Sequence, residues 1–348
     1  MYKVTIAIPV YNVAPYIERA LLSAFNQSFD SIEFLLIDDK GKDNSMDIVK
    51  KIIAMHPRGK DVRIIEHPEN IGTGATRNSG IDFAQGEYIF FMDSDDEITP
   101  NCIETLYTKI KENPVDFVAA SFDRIDCKGN ISYGFNCEDL LIKGELELAQ
   151  RYYSERTNKK ELVYICTCNK LYNLSFLKKN RIRCIPHHLN EDLLFSFQVI
   201  LKAESCRLLP EITYHYYTIP GSTTNKIEKK ETTKKEVYEC KEIIQFKKNY
   251  LNELKNRTIY ETLLTIVMSD NFQLTSIIYN QKLKEPISKE MLKEMLAYPI
   301  SFLTLKSFKN HKAINYLLYI ISIMPFSIQK FMLIGRRKVM DIKKIIKK

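Results

Sequence analysis

The sequence predicts an α/β protein, a doubly wound and mostly parallel sheet with helices on both faces, followed by a mainly helical C-terminal region. Three observations lead there. Through about residue 125, short apolar runs rich in β-branched residues alternate with helical patterns, the rhythm of βαβ units. Two of the runs end abruptly in acid, "LLIDD" at 35–39 and "IFFMDSDD" at 89–96, and open α/β sheets bind ligands beyond the carboxyl ends of their strands. Beyond about residue 228 helical periodicity takes over.

The elements follow in order. "KVTIAIPVYN" is a first buried strand, and "APYIERALLSAFNQ" a helix with Ile17, Ala20, Leu21, Ala24 and Phe25 on one face. "IEFLLIDD" is a second strand, and "NSMDIVKKIIAMH" a helix opened by Asn44 or Ser45 as its cap. "VRIIEHP" and "EYIFFMD" are further strands flanking the helix in "ATRNSGIDFAQG", for which Gly86 is the expected C-cap. "VDFVAASF" closes this part. From about 126 to 225 the pattern loosens: "ELELAQRYY" and "EDLLFSFQVILKAE" look helical, and "CRLLPEITYHYY" looks like a strand or hairpin arm. A long charged helix covers "KKEVYECKEIIQFKKNYLNELKN".

Composition narrows the function classes. Hydrophobic residues make up 45% and charged residues 27% of 348 positions, ordinary globular values. The net charge is +8, but the last 14 residues, "GRRKVMDIKKIIKK", hold seven Lys or Arg and one Asp. A basic tail on a nearly neutral body argues against nucleic-acid binding. The eight cysteines form no CxxC pair, only Cys166-x-Cys168. Without a secretory pattern at the N-terminus, reduced thiols in a cytoplasmic protein are expected.

Four carboxylates at Asp93, Asp95, Asp96 and Glu97 raise one another's pKa unless a cation joins them. Mg²⁺ uses one or two carboxylates plus substrate phosphates. A metal–diphosphate site therefore competes here with a solvated acidic turn that caps the helix starting near Pro100. An EF-hand loop is excluded by Ile98, where its sharp turn needs Gly. "GTGATRNSG" is not a P-loop, since no G-K-[ST] follows.

Four segments recur in one order: "VTIAIPVYN" at 4–12, "LLIDDKGKDNS" at 35–45, "NIGTGATRNSGI" at 70–81 and "GEYIFFMDSDD" at 86–96. Together they resemble the nucleotide-diphosphosugar glycosyltransferases of family 2, which have the GT-A fold. The resemblance continues more loosely through "CNKLYNLSFL", "NEDLLF" and "YHYYTIPGSTT" to about residue 225. It implies a GT-A domain over 1–225, with the nucleotide-sugar side at 1–125 and the acceptor side at 126–225, and leaves 226–348 as a helical region.

The resemblance also implies roles. Pro9, Tyr11 and Asn12 line the nucleotide pocket, and Asp38 or Asp39 bonds the uracil or ribose. Arg77 and Asn78 sit close to the nucleotide-sugar; Asp93 and Ser94 lie near the ribose and donor sugar, and Asp95 coordinates Mn²⁺ or Mg²⁺. Asp192 is the general base toward the acceptor and Glu191 its neighbour; the competing reading makes both a dipole-compatible helix start. The sequence departs from the family in two places. Lys40 stands where Gly is usual, and Tyr217 and Ile219 where Arg is common. Lys170, His188, His215 and Ser222 are the groups that could compensate at the diphosphate or acceptor.

The expectation is an inverting, metal-assisted enzyme that moves a hexose-type sugar from a UDP-sugar to a hydroxyl of a glycan or lipid-linked glycan. A non-catalytic binder of the same fold is the alternative. A sugar-1-phosphate nucleotidyltransferase fits less well, because "IPVYNVAPYIERAL" lacks a Gly-rich basic loop. The apolar stretch 313–334 beside the basic tail suits a peripheral hold on an anionic membrane surface, the inner face of the cytoplasmic membrane, better than a span.

Overall fold

Strand β1 (Val4–Val10) lies between β2 (Ile32–Asp38) and β4 (Tyr88–Phe91), parallel to both. In the computed structural model, which describes residues 2–144, 147–148, 166–185, 191–219, 233–255, 260–280, 283 and 285–335, this core belongs to a ten-stranded sheet. The order is β3-β2-β1-β4-β9-β6-β10-β5, with β7 on β6 and β8 on β10. The chain divides into two units, Met1–Ser222 and Thr223–Lys348.

Strand β3 (Val62–Glu66) extends the parallel set. Strands β6 (Phe117–Ile125) and β10 (Ser205–Tyr217) pair parallel to each other, and β9 (Lys170–Asn173) joins β4 to β6 in antiparallel sense. The sheet is thus mostly parallel, with antiparallel additions from β5 (Glu97–Ile98), β7 (Ile131–Phe135), β8 (Leu140–Lys143) and β9. The register of β10 against β6 shifts between Leu209 and Ile212. Pro210 lies in that gap, and a residue without an N–H cannot hold a regular ladder.

Helices α1 (Ile17–Phe25), α2 (Ser45–Met55), α3 (Thr73–Phe83) and α4 (Cys102–Glu112) connect these strands. Ala20, Leu21, Ala24 and Phe25 are buried on α1, as its periodicity predicts. Asn44 is the N-cap residue of α2, as expected, but makes no side-chain capping bond; Asp43 accepts from Ser45 N at 3.1 Å instead. The other expected cap differs. Gly86 is not the C-cap of α3, which ends at Phe83 with Ala84 beyond it. A Cβ at Gly86 would come within 2.6 Å of Thr5 N, so the glycine is required by close approach to β1 rather than by a helix end.

Helices α5 (Leu174–Lys179) and α6 (Glu191–Lys202) follow β9 and the 182–185 segment. Phe195 of α6 meets Phe91 of β4 at 6.0 Å and Tyr172 of β9 at 5.5 Å, both edge to face. These rings seat α6 against the sheet, so that its acidic first turn lies near the end of β4. The helix expected around "ELELAQRYY" falls mostly outside the described residues.

The second unit is helical: α7 (Lys234–Glu253), α8 (Tyr260–Tyr279), α9 (Lys289–Leu296), α10 (Phe302–Lys306), α11 (Lys312–Ile323) and α12 (326–335). Thr233 and Glu236 form a reciprocal capping box at the start of α7. Cys240, Ile244, Leu292, Met295 and Leu333 pack its core. Asn315, a polar interruption of the last apolar run, is fully buried: it accepts from Tyr298 Oη at 2.6 Å and donates to Thr265 Oγ1 at 2.8 Å. It pins α11 to α8.

Candidate active site

The carboxyl ends of β1, β2 and β4 bring three loops together. Pro9 is the penultimate residue of β1, Tyr11 is exposed beyond the strand, and Asn12 turns the chain with φ +53°. Asn12 Oδ1 accepts from Lys42 N at 2.6 Å, linking this turn to the loop after β2. Lys40 holds φ +55°. The left-handed turn that glycine would favour is therefore kept by a lysine, at a steric cost of about 1 kcal/mol.

Asp38 and Asp39 have different employment. Asp39 Oδ1 accepts from His67 Nδ1 at 2.9 Å and Ile71 N at 3.0 Å, while Oδ2 accepts from Asn70 Nδ2 at 2.6 Å and Gly72 N at 3.0 Å. A carboxylate accepts at about four lone-pair positions, so Asp39 is taken up in shaping the loop before α3. The Asp38 carboxylate accepts only from Lys40 N, at 2.9 Å on Oδ1, among the described residues. Its other oxygen is left without a hydrogen bond among them.

Arg77, on the second turn of α3, is the junction of the site. Its guanidinium donates to Glu191 Oε1 and Asp192 Oδ1 at 2.8 Å each and to Asp93 Oδ1 at 2.9 Å. Arg77 is 3% exposed, and the carboxylates around it hold its pKa well above the usual value, against the opposing effect of burial. The acidic loop after β4 and the acidic turn of α6 thus share one cation. Gly74 makes the approach feasible: a Cβ there would fall 1.9 Å from Ile185 O and 3.2 Å from Glu191 Cβ. The glycine serves packing of α3 on the chain itself. Asn78 does likewise, its amide donating to Cys184 O and accepting from Cys184 N, both at 2.8 Å.

Asp192 Oδ1 also accepts from Thr167 N at 3.1 Å and from the Thr167 hydroxyl. Among the described residues its Oδ2 accepts no hydrogen bond. Burial pushes Glu191 up to about 7 despite Arg77, with Asp192 adding to the rise.

In the acidic loop, Ser94 and Asp96 are buried, and Asp93 is partly exposed beside Arg77. Asp96 accepts from Tyr214 Oη at 2.7 Å and Tyr217 N at 2.8 Å, which ties the loop to β10. Burial raises its pKa well above the usual range. The Asp95 carboxylate accepts no hydrogen bond from another residue among the described ones, and burial with Asp93 nearby pushes it up to about 6. Such a carboxylate, part of an all-oxygen donor set, fits a hard divalent cation. No three His, Cys, Asp or Glu side chains converge as a preformed cage among the described residues; Mg²⁺ sites completed by substrate phosphates need none.

Arg19 is the residue that sequence reasoning missed. It reaches from α1 to donate to Asp95 O, lies 3.9 Å from Glu97, and stacks 3.5 Å from the Tyr217 ring centroid. A cation therefore stands at Tyr217 although the family's usual Arg does not. Only the helical stripe of α1 was legible; Arg19 lies off its buried face. Thr167, Tyr214 and Tyr217 were also not singled out as supports of the acids. Lys170 is buried and donates to Cys166 O. His215 Nδ1 faces Asp123 at 3.6 Å, apart from the carboxylates around Arg77. His188 and Ser222 lie outside the described residues.

These shifts set a pH dependence. Asp95, Asp96 and Glu191 have folded pKa values above their ordinary ones, so the folded state binds more protons from about pH 4 through at least pH 7, and stability falls as pH rises through that window. Without metal or nucleotide, Tm is expected to be about 2–5 °C higher at pH 5.5 than at pH 8. The Asp95→Asn/Glu191→Gln double variant should lose at least half of that difference in thermal melts; an unchanged difference would assign the trend to other groups.

Known proteins resemble this chain in sequence and in fold. EpsH of Bacillus subtilis (strain 168) is 33% identical over 238 residues, 65% of this chain and 64% of that protein. The poly(ribitol-phosphate) beta-glucosyltransferase of Bacillus spizizenii is 31% identical over 219 residues, 62% of this chain but 32% of the relative. The chain therefore matches less than two thirds of the length of either. The structure of S. aureus TarS 1–349 in complex with UDP-GlcNAc superposes with a TM-score of 0.60 at 19% identity, covering 92% of this chain and 79% of that one, which shows a common GT-A-like fold. Residues 5–181 match the model of glycosyl transferase family 2. Because that match takes in just over half of the chain and both acid-ended strands, the chain belongs to glycosyltransferase family 2.

Proposed function

We propose that this family 2 enzyme transfers a hexose-type sugar from a UDP-sugar to a hydroxyl of a glycan acceptor, a polysaccharide or lipid-linked oligosaccharide, in a single inverting displacement. The observation that carries the reading is Arg77, which binds the donor-side Asp93 and the acceptor-side Glu191 and Asp192 at once. The beta-glucosyl relative and the UDP-GlcNAc complex of TarS support the donor class and the linkage.

In this mechanism the acceptor oxygen attacks the anomeric carbon, and the bond from that carbon to the diphosphate oxygen breaks, its electron pair leaving with UDP. Asp192 takes the acceptor proton on Oδ2, because Oδ1 is held by Arg77 and Thr167. Asp38 serves the nucleoside. Asp95, with Asp93 beside it, would hold Mn²⁺ or Mg²⁺, which when bound neutralises charge on the diphosphate. Arg19 keeps the acidic loop in register through Asp95 O.

UDP release measured across UDP-Glc, UDP-Gal, UDP-GlcNAc and UDP-GalNAc with Mn²⁺ tests the reading. One donor should release UDP, and Asp95→Asn should reduce that turnover at least about a hundredfold. Full turnover in EDTA would remove the metal from the mechanism. UDP binding with no turnover on any donor, with or without glycan acceptors, would favour a non-catalytic binder.

A further inference from the structure

The second unit presents a row of exposed apolar side chains. Helix α11 is apolar on two sides. One side, with Asn315, Leu318 and Ile321, is buried in the unit. The other carries Ile314, Leu317, Ile320 and Ile323, spaced by three, and all four are exposed. Helix α12 adds the exposed Ile328 and Phe331. Leu317 is 51%, Ile323 66% and Phe331 73% exposed, and exposed apolar side chains gathered in this number mark an interaction surface.

The segment that carries this row has charge of one sign, and an acid placed beside it is Glu261, whose carboxylate accepts from Lys309 N and Asn310 N just before the start of α11. No Asp or Glu occurs between Glu294 and Asp341, whereas Lys306, Lys309, Lys312 and Lys330 lie on or beside these helices. The sequence that follows α12 adds seven Lys or Arg against one Asp. An apolar face flanked mainly by cations matches an anionic lipid surface; a second copy of the same face would bring those like charges together. Neither helix can cross a bilayer. At about 1.5 Å per residue both are far shorter than the roughly 30 Å hydrocarbon core, and no helix among the described residues is long and apolar enough to span.

We infer that the outer face of α11 and α12 is a docking surface for anionic membranes, with Leu317 and Phe331 entering the headgroup–acyl boundary and the lysine rim contacting lipid phosphates. The inference does not depend on the enzymatic reading and can hold or fail separately from it.

The test uses full-length protein and vesicles of phosphatidylcholine with about 30% phosphatidylglycerol. Co-sedimentation is expected at about 50 mM NaCl and should weaken at least about fivefold at 500 mM NaCl or on pure phosphatidylcholine. The Leu317→Glu/Phe331→Glu variant changes exposed side chains only; it should keep the wild-type melting temperature and UDP release yet partition at least about tenfold less. Failure of the wild-type protein to sediment at low salt would overturn the inference, as would undiminished binding by the double variant. A dimer in analytical ultracentrifugation that the double variant dissociates, without vesicle binding by wild type, would assign the face to self-association instead.

Discussion

Arg77→Ala is expected to lower sugar transfer by at least about a thousandfold and to melt about 5–10 °C below wild type. The side chain is almost fully buried and pairs with Asp93, Glu191 and Asp192. Truncation would leave three carboxylates close together without their cation, and removing one partner of a buried ion pair costs about 3–5 kcal/mol. Some of that cost returns through protonation, since Glu191 already sits at about 7 with Arg77 present. Asp192 would also lose the guanidinium that fixes its Oδ1, so activity suffers more than stability. Arg77→Lys sharpens the test. Lysine retains the charge but not the planar fork that reaches both Glu191 and Asp192 from one nitrogen and Asp93 from another. It should fold closer to wild type and still lose at least about tenfold in turnover. Wild-type turnover in Arg77→Lys would show that charge alone matters, and that joining the two acidic segments is incidental.

Asp192→Asn is expected to reduce transfer by at least about a thousandfold while UDP affinity stays within about threefold of wild type. The amide preserves size and can still accept from Thr167, but it cannot take a proton from the acceptor hydroxyl. Isothermal titration with UDP and Mn²⁺, beside a transfer assay, separates the outcomes. Loss of UDP binding with loss of transfer would make Asp192 a structural group at the start of α6. Glu191→Gln gives the contrast: it accepts from Arg77 as Glu191 does and should cost far less than Asp192→Asn.

Much of the first unit was legible because its signals are local. The buried strands of "TIAIPV" and "EFLLID" and the stripe of α1 follow from side-chain period alone. The acid-ended strands were legible too, since strand ends and ligand edges coincide in this sheet type. Less legible were residues whose partners lie far along the chain. Arg77 meets Glu191 across 114 residues and Asp192 across 115. Arg19 reaches Asp95 across 76. Neither distance leaves a periodic trace. Asn78 and Lys170 carried polar groups that suggested ligand contacts, and both bond the backbone, at Cys184 and Cys166.

The sequence by itself determined the α/β order, the family and the two acidic segments, because hydrophobic period and short motifs are properties of neighbouring residues. Tertiary structure alone decided which acid does what. Asp39 is absorbed by the loop before α3, Asp96 by Tyr214 and Tyr217, and Asp192 is left one unencumbered oxygen beside Arg77 and Thr167. The exposed apolar side chains of α11 and α12 are of the same kind: composition marked the run as apolar, but only packing around Asn315 and Leu318 determined which side faces out. A carboxylate's hydrogen bonds and a helix's buried side depend on what the fold brings against them, and chemically identical residues diverge there.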